Sequence, residues 1–521
     1  MLKYLIFLSC FLLSSCMVGP NYKEPHLKIA KHWMQTSKHK NATVREACPQ
    51  TVNWWNIFYD PTLSYLIYAG YENNLTLYAA AVRVLQTRAQ LAQSVGQLYP
   101  QQQALGGDYT YHRIGGGSLQ NILPSSFSTA SLGFSSSWEI DFWGKYRRAI
   151  QSNNAGFLAS VAAYDNALVT LTADIASAYI SIRTFQELIA VTKKNIELQR
   201  MSLKIAKSRY NAGQTSQLDV QQAQTELAQT EAQLPSQISS LQQQKDKLAV
   251  LLGLVPNEVD AFIKKSRGIP KAPSQIEIGI PRETIAQRPD IHQARQEAIA
   301  QSAAIGAAKA NFFPAFSLSG SFVFTSNNIG KNSISDIFDW SNRTITAGPS
   351  FTWPILNYGQ ITNAVRMQDA AFQQSLLKYR NLVLQAQQEV QDSITQYIEA
   401  KKAVRSLTTA NRSAVQSVKL ALIRYKEGES IYTTVLDAER QQLQVQTSLT
   451  NAKGDISQAI VGLYRALGGG WQLRIGKDIV PEKIKHEMAG RTNWGNLLQA
   501  QNHLPPVTAQ QCLKQLYLPN W

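Results

Sequence analysis

Beyond its first 13 residues the 521-residue sequence lacks any apolar run near the roughly 18 residues of a spanning helix, which excludes a polytopic helical membrane protein. Charge is scarce: 17% of residues are charged, against roughly 25% in an average soluble protein. The balance is basic, with 51 Lys and Arg against 35 Asp and Glu. That excess is scattered with no long basic block, so no nucleic-acid partner is expected. The seven histidines are dispersed, and the chain holds no HExxH, GxSxG, Walker A, GxGxxG or CxxC pattern. No enzyme activity, metal or cofactor is expected from such a set. Aromatic residues are plentiful, with 10 Trp, 21 Tyr and 17 Phe, which argues against disorder.

The amino terminus reads as an export signal. Lys3 gives a short positive region and Tyr4 to Leu13 an apolar one of signal-peptide length. Leu13-Ser14-Ser15-Cys16 then follows as a bacterial lipobox, with cleavage before Cys16 and diacylglycerol on its sulfur. A plain signal peptide with a chance cysteine is the alternative. Residue 17 is Met rather than Asp, so the inner-membrane retention signal is missing and the outer membrane is the expected destination. Of the four cysteines, Cys48 and Cys512 then remain in an oxidising compartment, near opposite ends of the mature chain. A disulfide between them is expected; two unpaired thiols are the alternative.

The sequence repeats itself at an offset of 215, which carries Trp138 to Trp353, Gly144 to Gly359, Arg209-Tyr210 to Arg424-Tyr425, Gly213 to Gly428 and Leu252-Gly253 to Leu467-Gly468. Each half therefore holds one copy of a unit, roughly 62–255 and 282–470. Within a unit two periods alternate. About 315–325, Phe316, Leu318, Phe322 and Phe324 alternate with serines; 345–355 and 132–141 read likewise, and 103–112 more weakly. Ten residues match a tilted membrane-spanning strand, whereas soluble sandwich strands, the competing reading, run nearer five or six. Four strands cannot close a barrel, and an open sheet in lipid leaves edge amides unsatisfied at several kcal/mol each. Several chains must then share one barrel. The loops 115–128 and 326–343 are expected at its outer surface.

Between the strands the period is helical. Lys145 to Asn211 contains no proline and one internal glycine, Gly156. Leu227, Leu234, Leu241 and Leu248 follow seven apart, a heptad seam that asks for a neighbouring helix. Pro235 is expected to kink or break it.

These residues resemble the TolC-like outer-membrane factors, in particular their lipidated OprM/NodT-type branch. The resemblance rests on Cys16-Met-Val-Gly-Pro-Asn-Tyr22, Trp54-Trp55 with Asp60-Pro61, Trp138-Glu-Ile-Asp-Phe-Trp-Gly144, Arg288-Pro-Asp-Ile291, Gly348-Pro-Ser-Phe-Thr-Trp-Pro354, Val435-Leu-Asp-Ala-Glu-Arg440 and Gly468-Gly-Gly-Trp471. It implies a mixed fold in which α-helices predominate beside a membrane β-barrel. Each of three identical chains would give four strands to a shared twelve-stranded barrel and long coiled-coil helices to a periplasmic α-helical barrel. The implied division is signal peptide 1–15, lipidated amino-terminal segment 16–61, first repeat 62–255, inter-repeat equatorial linker 256–281, second repeat 282–470 and equatorial tail 471–521.

The implied function is a passive exit duct of a tripartite efflux system. Its partners would be a periplasmic adaptor, an inner-membrane pump of RND type and outer-membrane lipid. The resemblance makes Asp437 the carboxylate of an acidic ring at the periplasmic aperture, with Arg440 three residues on, near enough to pair with it or with a neighbouring chain. Thr433 stands where relatives often carry Leu. The turns holding Gly213 and Gly428 are the implied adaptor contacts. A non-conducting structural coiled-coil lipoprotein is the alternative reading.

Overall fold

The computed structural model describes residues 17–34, 43–47, 51–115, 124–263 and 268–499. By contacts the chain divides into two units, and neither is a sequence repeat: the first takes 1–25, 84–160 and 293–379, the second 26–83, 161–292 and 380–521. Each unit therefore draws on both copies.

The first unit holds the sheet. Its strands are β2 (Gln102–Arg113), β3 (Ser126–Ile140), β5 (Ala315–Asn327) and β6 (Arg343–Thr352), in the antiparallel order β2-β3-β5-β6. The join between copies is β3 against β5, with Phe134 opposite Phe322 and Trp138 opposite Leu318. Because side chains alternate, one face carries the row Leu105, Phe134, Phe322 and Ile345, and the other the row Ala104, Ser135, Ser321 and Thr346. The strand bounds correct the sequence reading. β3 begins six residues before 132, so Ser126 to Ser128 belong to a strand rather than a loop. β6 spans 343–352 and not 345–355, because Pro354 has no N–H to give a ladder and the chain leaves the sheet after Thr352. The weak pattern at 103–112 forms a full 12-residue strand. The connection from β5 to β6 is not bare loop but contains two short 3-10 turns, Ile334–Phe338 and Trp340–Asn342.

Below these strands each copy makes the same anchoring contact. Trp138 Nε1 donates to Leu98 O at 3.1 Å, and its repeat mate Trp353 Nε1 donates to Phe312 O at 3.0 Å. Trp143 stacks on Phe313 at 4.6 Å and donates to Pro314 O. The amino-terminal segment is fastened alongside: Val18 N donates to Trp143 O at 3.1 Å, and Arg148 Nε to Val18 O at the same distance.

The second unit is built on helices. Numbered along the chain, the described helices are α1 (Pro61–Asn73), α2 (Leu75–Gly96), α3 (Lys145–Asn211), α4 (Gln217–Leu251), α5 (Asp260–Ile263), α6 (Pro281–Ala286), α7 (Pro289–Ala310), α8 (Gln360–Glu427), α9 (Tyr432–Ala466) and α10 (Glu482–Ala489). α3 and α8 have 67 and 68 residues, about 100 Å of helix each, and their first turns lie in the first unit. α4 and α9 have 35 each and start and end 215 residues apart.

α4 is unbroken at Pro235, against expectation. Pro235 is exposed, so its ring displaces no packed neighbour and the helix continues through it. The heptad seam is buried at Leu227 and Leu248 and half-buried between them. No helix among the described residues is long and apolar enough to cross a membrane.

Around these helices lie the terminal and inter-repeat segments. β1 (Val44–Glu46) pairs in parallel with β4 (Ile276–Ile278), and Gln472 Nε2 donates to Thr51 Oγ1. Asp60 caps α1 by accepting from Thr62 N at 2.9 Å and also takes the Tyr179 hydroxyl at 2.6 Å. Trp54, 2% exposed, stacks on Tyr464 at 5.2 Å.

Candidate functional site: sheet edges and hairpin turns

Two features are candidates for function, one in each unit. The first is the sheet margin. Among the described residues β2 and β6 have no strand on their outer sides, and their side chains are almost all exposed. Leu105, Tyr109, Ile345 and Phe351 are each more than 60% exposed, an apolar surface that a stable soluble monomer rarely carries. Unpaired N–H and C=O groups run along both margins.

The second feature is the pair of helix-hairpin turns. The turn after α3 holds Gly213 and that after α8 holds Gly428, both left-handed, with φ 71° and 84°. The same two backbone bonds close each turn: Gly213 N to Tyr210 O and Gln214 N to Arg209 O, then Gly428 N to Tyr425 O and Glu429 N to Arg424 O. Only glycine reaches that φ without steric cost, which explains its presence in both copies.

The copies differ in side-chain chemistry just beyond. In the first, Ser216 caps α4 and Asp219 sits in its opening turn, whereas Ile431 before α9 offers no side-chain cap. Asp219 instead serves the other hairpin: Tyr425 O–H donates to Asp219 Oδ2 at 3.0 Å, and the Arg209 guanidinium lies 4.8 Å over the Tyr425 ring. Burial, followed by that carboxylate, pushes the Tyr425 hydroxyl up to about 12. A shared core of Ile196, Leu203, Ala223, Leu227, Tyr425, Tyr432, Val435 and Leu436 joins the two hairpins here.

Asp437 is exposed, Thr433 half-buried. Arg440 does not pair with Asp437: its Nε lies 2.7 Å from Glu226 Oε2, across on α4, where Glu226 is 6% exposed by side chain. A buried carboxylate holds the guanidinium better than an exposed one three residues back. Beside this pair, Ser202 of α3 donates to Glu439, which is 1% exposed. Sequence reasoning assigned no role to Glu226, Ser202 or Glu439. Glu439 lies inside the stretch Val435 to Arg440, but its inward direction follows only from which face α9 buries. Cys16, Cys48 and Cys512 lie outside the described residues.

An open sheet with one apolar face, joined in sequence to duplicated helical hairpins, defines the subunit of a membrane duct. The chain belongs to the outer membrane efflux protein family, whose sequence model matches residues 66–254 and 280–469. It is 29% identical over 461 residues to nodulation protein T of Rhizobium leguminosarum bv. trifolii, covering 88% of this chain and 96% of that one. It is 31% identical over 443 residues to the pyoverdine export outer membrane protein OpmQ of Pseudomonas putida, covering 83% and 90%. The solved outer-membrane channel OprN superposes with a TM-score of 0.78 at 29% identity, over 88% of this chain and all of that one. The TolC-like fold and the OprM/NodT-type relationship expected from the sequence therefore hold, and the protein is an outer-membrane efflux channel.

Proposed function

We propose that three copies of this chain close one twelve-stranded barrel, β2 of each pairing with β6 of the next. The assembly serves as the passive exit duct of a tripartite exporter of drugs or other small molecules. The observation that carries the reading is the sheet itself, which is apolar on one face and unpaired at both margins. In hydrocarbon those margins cost several kcal/mol for each unsatisfied group unless sister chains cover them. The Ser, Thr and acidic face then lines a water-filled lumen.

The finer assignments follow from this reading. Cys16 carries the lipid, two residues before Val18, whose N–H donates to Trp143 O at the foot of the sheet. The units 62–255 and 282–470 are the repeats, with 16–61 and 471–521 as the end segments and 256–281 as the linker between repeats, and Cys48 with Cys512 would tie the two end segments together. The turns at Gly213 and Gly428 take the periplasmic adaptor, which links the duct to an inner-membrane pump of RND type. Three Asp437 carboxylates ring the aperture, with Thr433 and Arg440 beside them. Native mass spectrometry of the detergent-purified protein, paired with planar-bilayer recording, tests the proposal. A trimer that conducts ions is expected. A stable monomer that conducts none overturns it.

A further inference from the structure

α3 and α9 run antiparallel along a seam that is polar for most of its length. Ser202 meets Glu439, Asn195 meets Gln446 at 2.7 Å, Glu187 meets Lys453 at 3.1 Å and Ser177 meets Gln458 at 2.9 Å. Most of these contacts are neutral or compensated. The end nearest the hairpin turns is neither.

There Glu439 is 1% exposed, one of its oxygens takes the Ser202 hydroxyl, and the other has no hydrogen-bond partner. One turn before Ser202, Gln199 is 2% exposed and neither amide atom has a partner. Such orphans are costly when buried, so this end of the seam is the part held least firmly by its polar groups.

The groups around the Glu439 carboxyl give it no counter-charge. From α3 it meets only the neutral Ser202 hydroxyl, with Gln199 close by along the helix. From α4 it faces Glu226, a second carboxylate that disfavours its ionisation. On α9 itself the nearby groups are the Tyr432 phenol and Arg440, and Arg440 is engaged by Glu226. An ionised Glu439 is therefore a buried anion beside another carboxylate.

We propose that Glu439 is a proton-operated latch on the α3–α9 seam: protonated, it lets the two helices pack, and ionised, it favours their parting near the hairpin turns. Burial, with Glu226 adding, pushes this carboxyl up to about 7 from an ordinary value near 4.5. Below about 4.5 the proton is bound whether the helices are packed or parted, and the packed seam carries no penalty. Between about 4.5 and 7 the penalty grows, shifting the balance by up to about tenfold per pH unit, and above 7 it is complete. Acidification below 7 thus tightens the seam, which is at its loosest from neutral pH upward. Read through the aperture assignment under Proposed function, on which this last step rests, the duct closes more firmly in acid.

Hydrogen exchange on the purified full-length channel from about pH 5 to about pH 8, corrected for intrinsic rates, tests the latch. The wild type is expected to lose protection over 196–206 and 432–443 by tenfold or more as pH rises from about 5 to about 7, and to lose no more above it. Glu439→Gln, which keeps an acceptor for Ser202 and has no charge to gain, is expected to show no such loss. Ser202→Ala, the milder change, removes the one bond that favours ionisation, so its transition is expected at higher pH than in the wild type. The same pH response in Glu439→Gln as in the wild type, or none in the wild type, overturns the latch. Planar-bilayer recording of the same samples separates the two readings. Exchange that responds while conductance stays flat supports the latch and removes the hairpin turns from the aperture.

Discussion

The sheet and the hairpin turns satisfy their polar groups in opposite ways. Among the described residues the sheet pairs its inner strands within the chain and leaves β2 and β6 without outer neighbours, so in the proposed barrel other copies complete it. The hairpin turns close their own backbone bonds in both copies, and α4 is drawn to α8 through Asp219 and Tyr425 and to α9 through Glu226 and Arg440. What stays unsatisfied near the turns is side chain, including the free oxygen of Glu439, the amide of Gln199 and two nitrogens of Arg209. Unpaired backbone in lipid compels assembly, whereas an unpaired carboxyl can take a proton. One region is thereby built for permanence and the other for adjustment.

The contrast breaks most visibly in the sheet. Phe322 sits mid-strand on the apolar face, between Phe134 and Ile345 and 5.1 Å from the Phe324 ring. Phe322→Arg would place a charge in hydrocarbon at roughly 2–4 kcal/mol per chain. With three chains in the proposed barrel this is the largest effect expected on assembly, read as loss of the heat-stable trimer on gels. Trp54→Ala in the helical unit is expected to act on stability instead. The ring is buried between Tyr464, Trp55 and Phe58. Its removal is expected to cost about 3–5 kcal/mol, seen as a lower denaturation midpoint while the trimer still forms. Should Trp54→Ala abolish the trimer as fully as Phe322→Arg, the division of labour between the regions fails.

How much of this was legible beforehand differs along the same line. Period-two alternation exposes strands in any sequence, so Phe316 to Phe324 announced β5 directly, and the 215-residue offset found both hairpin turns through Gly213 and Gly428. Strand ends were less legible. Ser126 to Ser128 look like loop in composition and become strand because β2 supplies Arg113, His112 and Tyr111 as their ladder partners. Pro235 misled for a related reason: its cost depends on whether its ring meets a packed neighbour, which the sequence does not state. The Glu226–Arg440 and Ser202–Glu439 contacts were hidden because they join residues more than 200 positions apart. Helical spacing linked Arg440 only to Asp437, and tertiary packing overrode it.

Tyr425→Phe sharpens the comparison at smaller scale. It removes one hydroxyl from Asp219, which keeps Thr215 as a donor. A loss of about 1 kcal/mol is expected, typical for one hydrogen bond. It should appear as faster hydrogen exchange around the two turns with the trimer intact.

Asp437→Ala is expected to change stability least and conduction most. Its side chain is exposed, and Arg440 is held by Glu226 rather than by Asp437, so stability should stay within about 0.5 kcal/mol. The role proposed for Asp437 is electrostatic: three carboxylates about one axis would attract cations. Exposed charges are screened over about 8 Å at physiological ionic strength and over about 30 Å at 0.01 M salt. Removing them should therefore reduce cation preference, or raise single-channel conductance, by a margin that widens as salt is lowered. A selectivity and conductance equal to wild type at low salt would place Asp437 on an ordinary solvated helix face. Because Arg440 is occupied elsewhere, no intrahelical ion pair stands ready to explain such a result away.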